Sequence, residues 1–235
     1  MILIDLVLRY DDRMTSSRFL AFFKPHRTVP IVPWSAQGRW DISVKRVLIL
    51  FFGLAIFGLG DALIIQSGLG NAPWSVLAQG ISLKTGLTIG TSTLIIGAAV
   101  LLMWIPLRER PGFGTISNIL IISLFIEIGT RIFPAQESLV IGLIFVVTGI
   151  ALIGIGSALY ITCGLGPGPR DGAMTGLHNR TGVRVGRVRL GLEIAVSVLG
   201  AALGGTLGLG TLLFALFIGQ SVAISFGALA RLTDK

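Results

Sequence analysis

An all-α membrane protein is the fold class this sequence predicts, and three observations predict it. Hydrophobic residues make up 53% of the 235-residue chain and charged residues 13%, whereas soluble domains carry about a quarter charged residues; mean hydropathy is +0.87. The apolar residues gather into runs long enough for helices of about 20 residues, the length that crosses a hydrocarbon layer of roughly 30 Å. Two interruptions between those runs also share their wording, GLGNAPWS from Gly68 and GLGPGPRD from Gly164.

The first 45 residues differ from the rest. They mix charges with aromatics and prolines, contain no run long enough to span, and lack the order of a secretory signal. Residues 1–45 therefore read as a cytoplasmic arm, partly disordered or lying on the lipid surface. The short apolar pieces MILIDLVL and FLAFF, beside Arg18, Lys24 and Arg27, suit the surface position. Residues 46–235 read as one membrane domain.

Within that domain, apolar runs at 46–67, 88–107, 113–133, 139–163, 188–205 and 209–230 predict six spans. The fifth is the most polar, with Arg187 and Arg189 at its start and Glu193 inside it. Long arginine stems can carry their charge to the headgroups. With both termini in the cytoplasm, the inner side receives Arg39, Lys45, Arg46, Arg108, Arg110 and the run of arginines from 170 to 189. The outer side keeps only Lys84 and Arg131. The positive-inside rule predicts this orientation. The net charge of +8 thus reports topology, and nucleic acid is excluded as a partner because no soluble face gathers the arginines.

Gly68 and Gly164 are 96 positions apart, and the same offset pairs Gly53 with Gly149, Gly60 with Gly156, Pro73 with Pro169, Thr85-Gly86 with Thr181-Gly182, and Gly114-Thr115 with Gly210-Thr211. Shared richness in glycine and leucine would scatter its matches over many offsets, so a duplication explains the register. The halves run over about 46–133 and 138–230. Each holds three spans, an odd number, so the second must enter the membrane from the opposite side. Inverted repeats of this kind build binding sites at their interface from interrupted helices.

The interruptions are then one device used twice. Glycine permits backbone conformations closed to other residues, and proline blocks helix continuation. The 13 or so residues that follow, WSVLAQGISLKTG and RDGAMTGLHNRTG, are too short to span. They form either re-entrant helices that line a cavity or ordinary surface loops, and the sequence leaves both open.

The pairing of GLG with a nearby proline, GLGPGPRDG followed by VRLGLE, and GGTLGLGTLLFALFIGQ together resemble the YczE/YyaS/YitT family of bacterial integral membrane proteins, its YczE-like members in particular. The resemblance covers about residues 47–230. It implies a multi-span protein of the bacterial cytoplasmic membrane, in a family without a settled biochemical activity. Family members often read Gly-Pro-Trp-Asp in the first repeat, where this chain has Ala72-Pro73-Trp74-Ser75. Ser75 keeps a polar group there but no charge.

Candidate site residues are the polar groups within or beside the spans. Asp61 lies deep in the first span, and its repeat partner is Ser157. A carboxylate at that depth costs about 2.5–3.5 kcal/mol on insertion scales, which favours a role in proton coupling or ligand contact over a tie between helices. The candidates to bind substrate or ion are Asp61, Gln66, Gly68, Gly70, Trp74, Ser75, Gln79, Gly164, Gly166, Arg170, Asp171 and Glu193. Glu127 with Arg131, and Arg189 with Glu193, stand four apart and suit ion pairs along a helix. Arg170 and Asp171 either contact a ligand or fix their loop. Cys163, the only cysteine, reads as a packing residue.

No P-loop, HExxH or Cys/His metal spacing is present. No catalytic residue, metal or cofactor is therefore expected, and the protein does not read as an enzyme. Its expected partners are the lipid bilayer, an unidentified small solute and, through glycine-rich faces, a second copy of itself. The function expected is that of a small secondary-transporter-like protein working by alternating access. A non-transporting membrane component, either a ligand-binding subunit or a scaffold docking a cytoplasmic partner on Arg180–Arg189, stands as the alternative.

Overall fold

The computed structural model describes Pro25 and residues 28–233. The MILIDLVL and FLAFF pieces, with Arg18, Lys24 and Arg27, lie outside the described residues. Those described form helices joined by short loops, with no strand among them. In chain order they are α1 (Val44–Gln66), α2 (Pro73–Thr85), α3 (Ile89–Leu102), α4 (Trp104–Leu107), α5 (Phe113–Ile132), α6 (Leu139–Thr162), α7 (Pro169–Thr181), α8 (Val185–Ala202) and α9 (Leu209–Thr233).

The helix boundaries follow from local chemistry, and the 96-residue offset carries them from one half to the other. Helices α2 and α7 both begin on proline, whose missing N–H costs nothing in a first turn. Both stop at a glycine in the left-handed region, Gly86 (φ 77°) and Gly182 (φ 70°), whose N–H returns to Ser82 O at 2.9 Å and His178 O at 2.8 Å. Helices α5 and α9 open with the same bond, Gly112 N–H to Thr115 Oγ1 at 3.1 Å and Gly208 N–H to Thr211 Oγ1 at 3.2 Å.

Five helical segments are long and apolar enough to cross a membrane: α1, α3 with α4 (Ile89–Leu107), α5, α6 and α9. Helix α8, expected as a span over 188–205, is not among them. It runs 18 residues and carries Arg187, Arg189 and Glu193. Leu190, Ile194 and Val198, four apart, are exposed, while Val188, Val196 and Gly200 are buried. It ends at Ala202, ahead of Gly204, where the chain turns at φ 102°.

At the centre, α1 and α6 cross antiparallel on bare glycine. A Cβ added at Gly53 would stand 3.0 Å from Gly156 O, and one at Gly60 would stand 2.8 Å from Gly149 O. The offset maps each of these contacts onto the other. Helix α5 packs on α1 as α9 packs on α6, and α2 lies against α8. The buried apolar clusters fill the angles between them: Leu50, Leu54, Ile122 and Ile126 between α1 and α5, and Ile64, Val146, Ile150, Ile153 and Ile218 among α1, α6 and α9.

One pair of equivalent positions breaks the likeness. Gly200 lets α8 close on the backbone of Val76 and Leu77 in α2. Its counterpart, Trp104, is 1% exposed, lies over Gly172 of α7 and donates from Nε1 to Pro169 O at 3.0 Å. Small against large at matched sites makes the second half close where the first is wedged apart.

The glycine crossing yields a stability test. Gly156→Val places branched carbons against the Gly53 carbonyl and is expected to cost on the order of 1–3 kcal/mol. Gly191→Ala on α8, with nothing within 4 Å of the added carbon, should be neutral or stabilising by up to about 1 kcal/mol. Thermal unfolding of the two variants in detergent measures the difference, and equal melting curves would contradict the crossing.

Candidate functional site

Each interruption is a glycine-leucine-glycine turn that only glycine could make. Gly68 and Gly70 have φ of 70° and 102°, and Gly164 and Gly166 have φ of 68° and 114°, all in the left-handed region. The turns leave the intervening carbonyls without helical partners, and each finds one in the other half. Gly210 N–H donates to Leu69 O at 2.7 Å, and Gly114 N–H donates to Leu165 O at 2.8 Å. These bonds satisfy the last helix of one half with the loop of the other. The two loops are partly packed into the protein: Leu165 is 1% exposed and Gly70 is buried, while Gly68 and Gly164 are exposed.

Beyond the turns, α2 and α7 aim their N-termini at a common cavity of about 310 Å³. Neither first turn carries a side-chain cap, since Ala72 and Gly168 occupy the cap positions. Nine pairs of positions related by the 96-residue offset line this space. Ala72, Pro73 and Trp74 face Gly168, Pro169 and Arg170. The remaining pairs are Phe57 with Ile153, Thr93 with Arg189, Gly97 with Glu193, Asn118 with Phe214, Ile122 with Ile218, and Ser123 with Gly219. The cavity is thus lined from both halves of the chain, at positions the 96-residue offset relates.

Equivalent backbones carry unlike chemistry. Asp61 is 1% exposed, and Ser75 Oγ lies 2.9 and 2.8 Å from its two carboxylate oxygens, donating to one of them. In the other half the acid has changed sides. Asp171 stands at the position equivalent to Ser75 and accepts from Tyr160, whose hydroxyl is 2.9 Å from Oδ2. Both halves therefore tie their long first helix to their short second helix by a hydroxyl-carboxylate bond, with the roles exchanged.

Arg170 lies between these acids with its guanidinium carbon 4.9 Å from the Trp74 ring centroid. Its attraction to Asp61 and Asp171 acts through space; among the described residues no hydrogen bond, and no ion pair within 4 Å, takes up the guanidinium. Arg189 and Glu193 complete the charged wall as a pair on α8, 2.8 Å apart.

A second hollow, about 380 Å³, meets the first at Tyr160, Ile161 and Asp171 and is rimmed by Arg39, Gly164, Gly166 and Pro167. The described end of the N-terminal arm covers this side. Ser35 Oγ donates to Thr162 O at 2.9 Å, Ala36 N–H to Cys163 O at 3.0 Å, and Phe113 N–H to Arg39 O at 3.1 Å. Arg46 holds the arm's turn through Trp34 O at 2.9 Å and an ion pair with Asp41 at 2.7 Å.

The candidates read from sequence fall into three groups. Trp74, Arg170, Asp171 and Glu193 line the cavity, with Asp61 and Ser75 packed behind it. Gly68, Gly70, Gly164 and Gly166 shape the turns. Gln66 and Gln79 stand elsewhere. Gln66 donates to Thr130 O at 2.9 Å and to Phe133 O, holding the end of α5, and Gln79 accepts from Asn71 at 2.8 Å and Thr206 N–H at 2.6 Å. Glu127 and Arg131 pair at 2.6 Å, away from the cavity. Tyr160 escaped the sequence reading because an aromatic residue in an apolar span reads as packing. Its signal was its place, one turn beyond Ser157, the repeat partner of Asp61.

Residues 44–226 match the model of a family of unknown function, DUF6198. An uncharacterised protein of Haemophilus influenzae is 47% identical over 209 residues, covering 89% of this chain and 96% of that one. The uncharacterised membrane protein YczE of Bacillus subtilis is 34% identical over 204 residues, covering 83% and 92%. The uncharacterised protein YyaS of the same organism is 32% identical over 123 residues, covering 51% and 61%. No solved structure matches.

The exchanged hydroxyl-carboxylate bonds are open to measurement. Ser75→Ala removes the donor beside a buried carboxylate and is expected to lower stability by about 1–3 kcal/mol. Tyr160→Phe should cost less, because Asp171 also faces the cavity, where water can replace the hydroxyl. Thermal shift of the two variants checks the order, and an unchanged melting temperature for Ser75→Ala would show Asp61 to be satisfied in another way.

Proposed function

The chain belongs to the YczE-like membrane proteins of family DUF6198, and we propose that it is a small secondary carrier of the cytoplasmic membrane that moves a small solute by alternating access. The observation that carries this reading is the cavity lined by nine repeat-related pairs, at the meeting point of two interrupted helices. A site on the line relating two halves is reached from either side by the same motion, performed by one half or the other. Asp61 is the coupling group of this reading, the one acid buried behind the cavity rather than on its wall.

The reading takes the architecture as six spans in two inverted halves, with both termini inside. Helix α8 serves as the fifth span. Two of its charged residues, Arg189 and Glu193, line the cavity while Leu190, Ile194 and Val198 face outward, and Arg187 stands in its first turn, where a long stem can reach the headgroups. The antiparallel crossing of α1 and α6 supports the inversion. In this orientation the hollow rimmed by Arg39 opens toward the cytoplasm, and α2 and α7 are re-entrant helices on opposite sides.

Two experiments test the proposal. Leu87 and Val183 are exposed, repeat-related positions just beyond α2 and α7. Leu87→Cys should react with an impermeant maleimide from outside intact cells, and Val183→Cys only after permeabilisation; labelling of both from one side would remove the inversion. The second is flux in proteoliposomes with and without a proton gradient. Gradient-driven uptake is expected for the native protein and a loss of at least tenfold for Asp61→Asn. Indifference to both gradient and substitution, across a broad solute panel, would favour a non-transporting component.

A further inference from the structure

We propose that the cavity takes a small zwitterion of the amino-acid kind with an apolar side chain, its carboxylate on Arg170 and its ammonium on Asp171. The inference takes the cavity of the carrier reading as its site and so rests on that reading for the route in and out. Arg170 is the anion site of this assignment. A guanidinium holds five donors in a planar fork that matches a carboxylate, yet no protein acceptor among the described residues uses them. Its face is held against Trp74, 4.9 Å from the ring centroid. A ring below a guanidinium leaves the donors in its plane free to point past the ring's edge. Arg170 is therefore positioned but unpaired on a cavity wall.

A second observation points to the same charge. The first turns of α2 and α7 reach the cavity without side-chain caps, and two helix N-termini add partial positive charge where they converge. The remaining wall asks for a cation beside the anion. Asp171 follows Arg170 in the same first turn, spends Oδ2 on Tyr160 and has no bond to Oδ1. The charged residues on the wall balance, Arg170 and Arg189 against Asp171 and Glu193. A balanced wall holds a ligand of no net charge at less cost than an anion or a cation, because no counter-charge is left over.

Size and lining select the rest. A volume of about 310 Å³ lies at the low end for small-molecule sites, which run from about 300 to 1,000 Å³. Away from the charges the wall presents Phe57, Ile96, Val100, Ile119, Ile153 and Val222, apolar surface that accepts a branched aliphatic body, with Thr93, Asn118, Ser123 and Ser157 as its uncharged polar groups.

The test is binding, read by calorimetry on the full chain in nanodiscs, with leucine, isocaproate, isoamylamine and isoamyl alcohol as probes. They share a 3-methylbutyl unit and differ in the polar or charged groups it carries. Leucine is expected to bind at least tenfold more tightly than isocaproate or isoamylamine, with the alcohol undetected. Arg170→Lys keeps the charge but loses the fork and should weaken both leucine and isocaproate about 10–100-fold. Asp171→Asn should reduce leucine to the level of isocaproate or below while isocaproate, relieved of a like charge, binds as tightly as before or more tightly, a selective loss that a merely structural role for Asp171 would not produce. Failure of every probe to bind, equal binding of the alcohol and leucine, or undiminished binding by Arg170→Lys would each overturn the assignment. Binding is measured without flux, so a protein that binds leucine as described but never moves it sinks the carrier reading and leaves this one standing. Gradient-driven flux of an uncharged solute, unaffected by Arg170→Lys, does the reverse.

Discussion

The structure turns on a constraint of the backbone: a helix broken within a membrane protein must find partners for the peptide groups it releases. Here the partners come from the other half of the molecule. The carbonyl between each pair of turn glycines receives the N–H of the helix that closes the opposite repeat, Gly210 to Leu69 and Gly114 to Leu165. Each loop carbonyl is thus satisfied by protein across the two halves. Each half completes the other.

The same reciprocity positions the site. Once the loops are pinned, the short helices that follow can only point inward, and both deliver a proline-led first turn to the line between the halves. The glycine crossing of α1 and α6 brings the two turns close enough for Trp74 of one repeat to lie under Arg170 of the other. That contact joins two equivalent positions, which can touch only at the line that relates them. A symmetric scaffold thereby places unlike side chains face to face.

Chemical asymmetry is laid over this scaffold. Asp61 and Ser75 in one half answer Ser157 and Asp171 in the other, with Tyr160 supplying the second hydroxyl. Trp104 against Gly200 makes one flank tight and the other wedged. Symmetric packing accounts for the glycines, whereas the charged groups were free to diverge because each needs a partner, not a particular partner.

Much of this was legible in the chain. Composition and run length determined the membrane class, and the 96-residue register determined which positions are equivalent, because a duplication leaves its period whatever the fold does with it. Turn glycines and helix-leading prolines announced their own backbone states, since few other residues tolerate them. What the tertiary structure alone decided is who meets whom across that register. The sequence ranked Gln66 and Gln79 with Asp61, yet both are used to bind backbone far from the cavity, and it passed over Tyr160. It could not show that α8 turns Arg189 and Glu193 to the cavity, or that Arg170 is left unpaired. The reason is physical: a side chain's role depends on the partner its group finds, and in this protein most partners lie in the other half, brought near only when the two halves close on each other.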